Sequence, residues 1–270
     1  MSILLKPSLA WCLLLLLWFS SPQSNSSTQA SLPTISAAPA SVIIPPPPDY
    51  RYPDGQTYVY GVEWHMINAG TASVKLQADS GGQHVIATAG SAGVVNALYR
   101  VNDHMDAFFD GRSFCSKRIS KHIEEGSKSR ESDLHFDYPR GKSVLDEKNL
   151  KTGEQKHLEN DIPGCVTDVA SGFYYVASLP LQTGNTYTFT VSDGKTNLVS
   201  VHVEAREQVK VPAGTFQTVR LRAEAISGTL KEKGTVWAWF TDDANHTPVQ
   251  MRSKLGWGTL MFRLQRIEKQ

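Results

Sequence analysis

The stretch 234–267, GTVWAWFTDDANHTPVQMRSKLGWGTLMFRLQRI, most constrains what this chain can fold into. It alternates with a period of two rather than 3.6. Val249, Met251 and Leu255 alternate with Gln250, Arg252 and Lys254; Leu260, Phe262 and Leu264 alternate with Met261, Arg263 and Gln265. Successive side chains of a strand point to opposite faces, so this pattern predicts half-buried antiparallel strands. Turn-forming residues separate them at 242–246 and 256–258. The first run puts Val236, Ala238 and Phe240 on one face and Trp237, Trp239 and Thr241 on the other. It is apolar on both sides, which predicts cover on both. Such a meander predicts an all-β fold: an antiparallel sheet forming a curved or incompletely closed barrel, with one or two short covering helices.

The same alternation recurs upstream. Residues 57–65 place Tyr58, Tyr60, Val62 and Trp64 on one face. A turn at Asn68-Ala69-Gly70 leads to a return strand over 72–78, with Val74 and Leu76 inward. Further strands are expected over 84–88 and 105–109. The runs 114–125, 128–137 and 143–148 alternate but are polar, which predicts an exposed ribbon, followed by a polar loop over 149–161. Strands over 186–191, 198–205, 207–211 and 215–224 then reach the closing meander. Two stretches break the period. Ser91 can cap a short helix reaching Tyr99, and Thr167 or Asp168 a second one reaching Ser178, which Pro180 ends.

Residues 1–24 read as an export signal: Lys6, a Leu-rich apolar core over 9–19, then small polar residues. Eleven apolar positions fall short of the ~20 that a spanning helix needs. No permanent transmembrane helix is therefore expected after cleavage; an uncleaved anchor is the alternative. Residues 25–54 are Ser- and Pro-rich, with Pro45 to Pro48 consecutive, and predict a disordered tether. Residues 55–270 form one β domain. The 27 basic and 26 acidic residues give no whole-chain electrostatic case for nucleic acid. Past the signal, Cys115 and Cys165 are the only cysteines. In an exported chain such a pair favours a disulfide, here joining the polar ribbon to the second helix. Two buried free thiols are the alternative.

Candidate chemistry is sparse. The eight His residues lack metal-ligand spacing. Asp103, His104 and Asp106, or Asp242, Asp243 and His246, carry donor atoms, but a turn explains each group as well. Ser91 lies between glycines without a nucleophile-elbow context. Glu63 and Glu224 sit in apolar surroundings, yet nothing pairs them for hydrolysis. No catalytic, metal or cofactor residue is assigned. Tyr58, Tyr60, Trp64, Trp237 and Trp239 are the candidate lining of a ligand site in the concave sheet; simple core filling is the alternative.

Four strings carry a resemblance: EQVKVPAGTF over 207–216, Ala69-Gly70-Thr71-Ala72, residues 168–175 before Leu179-Pro180-Leu181, and residues 236–248. Together, over 55–267, they resemble the bacterial exported family catalogued as domain of unknown function 3108. The resemblance implies a Gram-negative, periplasmic, β-rich protein. It offers no activity and no catalytic residues. The outline is similar to periplasmic lipoprotein carriers, which suggests non-catalytic binding of a lipid or other apolar envelope molecule. An envelope protein–protein interaction module with a filled core, contacting partners through 114–148, is the second expectation, and a hydrolase the third.

Overall fold

The computed structural model describes residues 43–228, 234–255 and 258–269. The export signal and the tether up to residue 42 lie outside the described residues. Fourteen strands run in chain order: β1 Gln56–Trp64, β2 Ile67–Asp79, β3 Gly82–Ser91, β4 Val101–Phe109, β5 Ser116–Glu125, β6 Lys128–Asp137, β7 Lys142–Asn149, β8 Gln155–Asp161, β9 Thr186–Ser192, β10 Thr196–Val211, β11 Gly214–Ala225, β12 Thr235–Thr241, β13 Pro248–Leu255 and β14 Gly258–Lys269. Helix α1, Gly93–Leu98, follows β3, and α2, Val169–Ser178, follows β8.

All strands join one antiparallel sheet in the order β8-β7-β6-β5-β4-β3-β2-β1-β14-β13-β12-β11-β10-β9. The first strand pairs with the last, Gln56 opposite Lys269. This topology gives the sheet two ends. The turns after odd-numbered strands lie along one edge of the sheet, called the upper end here, and the remaining connections along the other, the lower end. The inner face carries the alternating apolar residues that the sequence predicts. Tyr60 stands opposite Leu264, Val62 opposite Phe262, and Ala238 opposite Met251.

The sheet curls but does not close, because β8 and β9 do not pair with each other. The segment 162–168 fills the gap between them. Ser116 N–H donates to Val166 O at 2.9 Å, Thr167 N–H to Thr190 O at 3.0 Å, and Ser192 N–H to Thr167 O at 2.8 Å. Lys121 on the inner face of β5 meets Asp193, in the β9–β10 turn, at 2.5 Å. The expected disulfide joins Cys115 to Cys165, with Cα atoms 5.2 Å apart. It fastens the start of β5 to this closing segment.

Helix α2 follows at once and starts on Asp168. The carboxylate accepts from Ala170 N–H at 2.6 Å, Ser171 N–H at 3.0 Å, Ser171 Oγ at 3.1 Å and Ser116 Oγ at 2.5 Å. Ser171 Oγ lies 2.9 Å from Asp168 N–H, completing a capping box. The helix can lie close on the sheet because Gly172 has no side chain. A Cβ there would come within 3.1 Å of Thr167 Oγ1 and 3.2 Å of Phe189.

Several expectations need correction. The 149–161 segment is not a loop throughout, since β8 pairs with β7 from Gln155. Residues 198–211 belong to one 16-residue strand that bulges between Val203 and Ala205. The first hairpin turns at His65-Met66, and Asn68-Ala69-Gly70 lies within β2. Gly70 is needed there because a side chain would collide with Gly90 O on β3. Ser91 does not cap α1; its Oγ accepts from Val101 N–H at 2.7 Å instead. Residues 43–54 lack regular secondary structure, as a tether would, yet they do not trail. Tyr50 and Tyr52 pack beneath α2 against Phe114, and Tyr52 Oη donates to Gly111 O at 2.9 Å. Their rings supply apolar area that the Pro-rich composition obscures.

The disulfide closes a loop of 50 residues, for which chain entropy gives about 4 kcal/mol. Changing either Cys115 or Cys165 to Ser is expected to lower the melting temperature by on the order of 10 °C while the far-ultraviolet β signal remains. Two reactive thiols in the native oxidised protein, or an unchanged melting curve in the variant, would contradict this.

Candidate functional site

Helix α2 and the curled sheet enclose an apolar cup. One face of α2, with Val169, Phe173 and Val176, forms its floor. Phe173 packs against Phe240 of β12, ring centroids 5.1 Å apart. Walls come from alternate residues of β1 to β4 and β9 to β13, among them Val74, Met105, Val201 and Leu221. The cup leaves a cavity of about 160 Å³. Ala223, Val236 and Ala238, towards the upper end of β11 and β12, are half-buried and form the mouth.

Tyrosine supplies most of the polarity of the lining. Tyr60 Oη donates to Pro248 O at 2.9 Å, and burial holds its hydroxyl well above its ordinary pKa. Burial likewise pushes Tyr58 up to about 12. Tyr174 is fully enclosed, and among the described residues its hydroxyl has no hydrogen-bond partner. Such a group costs about 1–3 kcal/mol. The remaining polar side chains of the lining are Asp168, engaged by the helix cap, and Ser253.

The five candidate lining residues therefore divide. Tyr58 and Tyr60 line the cup. Trp64 shares their face but sits above it at the upper end, edge-on to His65 at 5.1 Å. Trp237 and Trp239 face away from the cavity. Their cover is not a second layer but long polar side chains from adjacent strands. The Arg252 guanidinium lies 4.2 Å from the Trp237 ring centre, a cation–π contact. Trp239 Nε1 donates to Glu207 Oε1 at 2.6 Å, and Arg220 bridges Glu204 and Glu207. Sequence reading missed the Val, Leu and Ala residues of β9 to β11 that build the walls. Their alternation marked them as inward, but nothing in it separates a wall from a filled core.

The other candidates also find places. Asp103 points inward from β4 while His104 and Asp106 point outward, so the three cannot share one ion. Asp106 instead lies between His84 Nε2, at 2.7 Å, and His104 Nε2, at 2.8 Å. Asp242 pairs with Arg206, Asp243 accepts from Thr241 Oγ1, and His246 Nδ1 lies 2.7 Å from Ala177 O. Among the described residues no group of three His, Cys, Asp or Glu is placed to hold a metal. Glu63 and Glu224 are both on the outer face, beside Arg263 and Arg222 respectively. The outer face of β4 to β8 hollows into a polar groove of about 730 Å³, lined by His104, His122 and His157 among carboxylates and lysines.

One carboxyl pair lies inside the sheet, apart from the cup. Asp103 and Glu125 are buried on the neighbouring strands β4 and β5, close enough for the charge of one to act on the other. Burial, then the charge of Glu125, raises Asp103 from 3.8 to about 8; the Glu124 N–H donating to its Oδ1 at 3.0 Å pulls the other way.

The family model described as Protein of unknown function (DUF3108) matches residues 59–265. No curated protein matches the chain. Among solved structures, a β-barrel-like protein of domain of unknown function DUF1849 from Brucella abortus is similar, with a TM-score of 0.58 and 11% identity. That match covers 84% of this chain and 98% of the other. A protein described as exported, of YmcC-like fold, from Bacteroides fragilis scores 0.36 at 12% identity, covering 82% and 98%. A protein described as a lipoprotein from Parabacteroides distasonis scores 0.33 at 10%, covering 81% and 97%. At these identities the first likeness speaks for the fold alone.

The buried pair yields a measurable pH dependence. Between about pH 4 and pH 8 native Asp103 keeps a proton that the unfolded chain releases, so its contribution favours folding at low pH and is lost as pH rises through that window. The melting temperature is expected to fall from about pH 5 to about pH 8 more steeply in the wild type than in Asp103→Asn, which keeps the acceptor for Glu124 N–H. Parallel curves for the two proteins would contradict the assignment.

Proposed function

The chain belongs to the family described as Protein of unknown function (DUF3108), and from that premise we propose that it binds an apolar or amphiphilic molecule of the cell envelope in the cup, without transforming it. The lining carries this reading. Of 24 residues, only Asp168, Ser253 and the three tyrosines bear polar groups. The volume of about 160 Å³ resembles that of a dry apolar cavity of about 150 Å³ known to take up benzene. An aromatic ring or a short acyl segment fits it. About six methylenes would gain about 5 kcal/mol on burial, before association costs. That suits a transient hold better than a permanent one. The Tyr174 hydroxyl favours an amphiphile, because a ligand oxygen reaching it would supply the hydrogen bond it lacks among the described residues. An extracytoplasmic, periplasmic setting is part of the proposal. It is supported by the leader-like residues 1–24 and by a disulfide, which persists in oxidising compartments.

A second reading, an envelope interaction module working through the polar strands, is favoured by the outer groove of about 730 Å³ over β4 to β8. The open cup supports the first reading more directly, since a filled interior belongs to the second.

Titration with a fluorescent medium-chain fatty acid should show saturable binding. Ala238→Trp, which fills the mouth, should weaken it at least tenfold, while Trp237→Phe on the outer face should not. Tyr174→Phe should weaken the acid several-fold but leave benzene uptake unchanged. No saturable binding, or wild-type affinity in Ala238→Trp, would rule out the cup.

A further inference from the structure

Large exposed apolar side chains are unevenly placed. Among the described residues there are eight, and six of them, Met66, Ile67, Val94, Leu98, Leu150 and Ile226, belong to the upper end. Four form one prow. Met66 stands in the β1–β2 turn and Ile67 opens β2 beside it, and Val94 and Leu98 stand one helical turn apart on the outer side of α1. The two elements touch: Ala92 N–H, at the head of α1, donates to Ala69 O of β2 at 2.9 Å, and Val95 is buried beneath. Met66 is 94% exposed and Leu98 81%. The turn holds His65 and Met66 at φ 47° and 68°, a left-handed pair for which Asn-Gly is the favoured sequence. The chain accepts that conformation with a methionine at the tip.

The charge of this end is equally uneven. Arg100, Lys128, Lys151, Lys195 and Lys254 are exposed in or beside its turns, against one exposed acid there, Glu154, among the described residues. Three of the cations flank the prow. Gly126 N–H donates to Arg100 O at 2.8 Å, which brings the β5–β6 turn and Lys128 beside α1. Gly258 lies against Trp64 and His65, which brings the end of β13 and Lys254 to the other side. The lower end is mixed instead, with Asp49, Asp79, Asp137 and Asp242 among its loops.

We propose that the upper end docks on the surface of an anionic lipid bilayer, inserting Met66, Ile67, Val94 and Leu98 between headgroups while Arg100, Lys128 and Lys254 meet the lipid phosphates. Apolar side chains carried on separate turns and ringed by cations match a fluid anionic surface. The mouth of the cup opens towards the same end, so docking would place it against the acyl layer. Only this purpose rests on the proposed binding function; the docking geometry does not.

Sedimentation of the exported, purified protein with lipid vesicles tests it. Binding is expected with phosphatidylcholine and phosphatidylglycerol in equal parts, and should weaken in phosphatidylcholine alone and in high salt. Met66→Asp with Leu98→Asp should reduce binding at least tenfold. Both positions are exposed, so the melting temperature should not change, and fatty-acid binding in free solution should persist. Wild type and variant share one N-terminus, so their difference reports on the prow alone. Equal sedimentation of both proteins, no vesicle binding by the wild type, or a dimer in solution that the same substitutions dissolve would overturn the proposal. Vesicle binding without fatty-acid binding would keep the docking surface and remove the cup.

Discussion

The interior depends on one buried carboxylate. Asp168 ends the segment that fills the gap between β8 and β9, and it begins the helix that floors the cup. A carboxylate this deep is tolerable only when its oxygens are fully engaged. Two helix N–H groups and the hydroxyls of Ser116 and Ser171 do that here. The same bonds tie three elements together, since Ser116 belongs to β5 and Thr167 is laddered to β9. A ten-residue helix is marginal alone. Its place inside the sheet comes from this cap, from the bare face at Gly172, and from the rings beneath it. Were the cap lost, the edges of an unclosed sheet would have little to hold them at their present separation.

The unpaired edge at β9 shows how much of a wall can be built without strands. A barrel normally removes its edges by pairing them. Here an extended segment, an ion pair between Lys121 and Asp193 and a disulfide take that role. Tyr50 and Tyr52 then cover the underside of α2. The interior is consequently divided. Apolar walls face the cup under β9 to β13, whereas Asp103 and Glu125 lie buried under the ribbon.

Much of the fold was legible because alternation is a local property. The period-two runs gave the strands, and the residues around Asp168 gave the second helix. Turn position was less legible. Asn68-Ala69-Gly70 has turn chemistry, but Gly70 serves close strand packing, while His65-Met66 turns without the usual residues. Face assignment failed where both faces are apolar. In β12, Val236-Trp237-Ala238-Trp239 offers no choice by itself. The register with β13 decides, placing Arg252 opposite Trp237 on the outer side. Tyr58 and Tyr60 were read correctly as inward because Val59 and Gly61 between them carry no competing ring. Whether an inward residue borders space or another side chain depends on how far α2 rises into the sheet, and no local pattern encodes that.

The pairing of β1 with β14 has a consequence for how the chain acquires its fold. Each internal strand finds a neighbour a hairpin away, but one flank of β1 must wait for residues about 200 positions later. Contacts so distant in sequence slow the search for the native state, because loop closure precedes any reward. Two hairpin arrays, β1 to β8 and β9 to β14, can form early and independently. Their joining, at the seam where Gln56 meets Lys269, is the step that turns two open sheets into one vessel, and it cannot precede synthesis of the last strand.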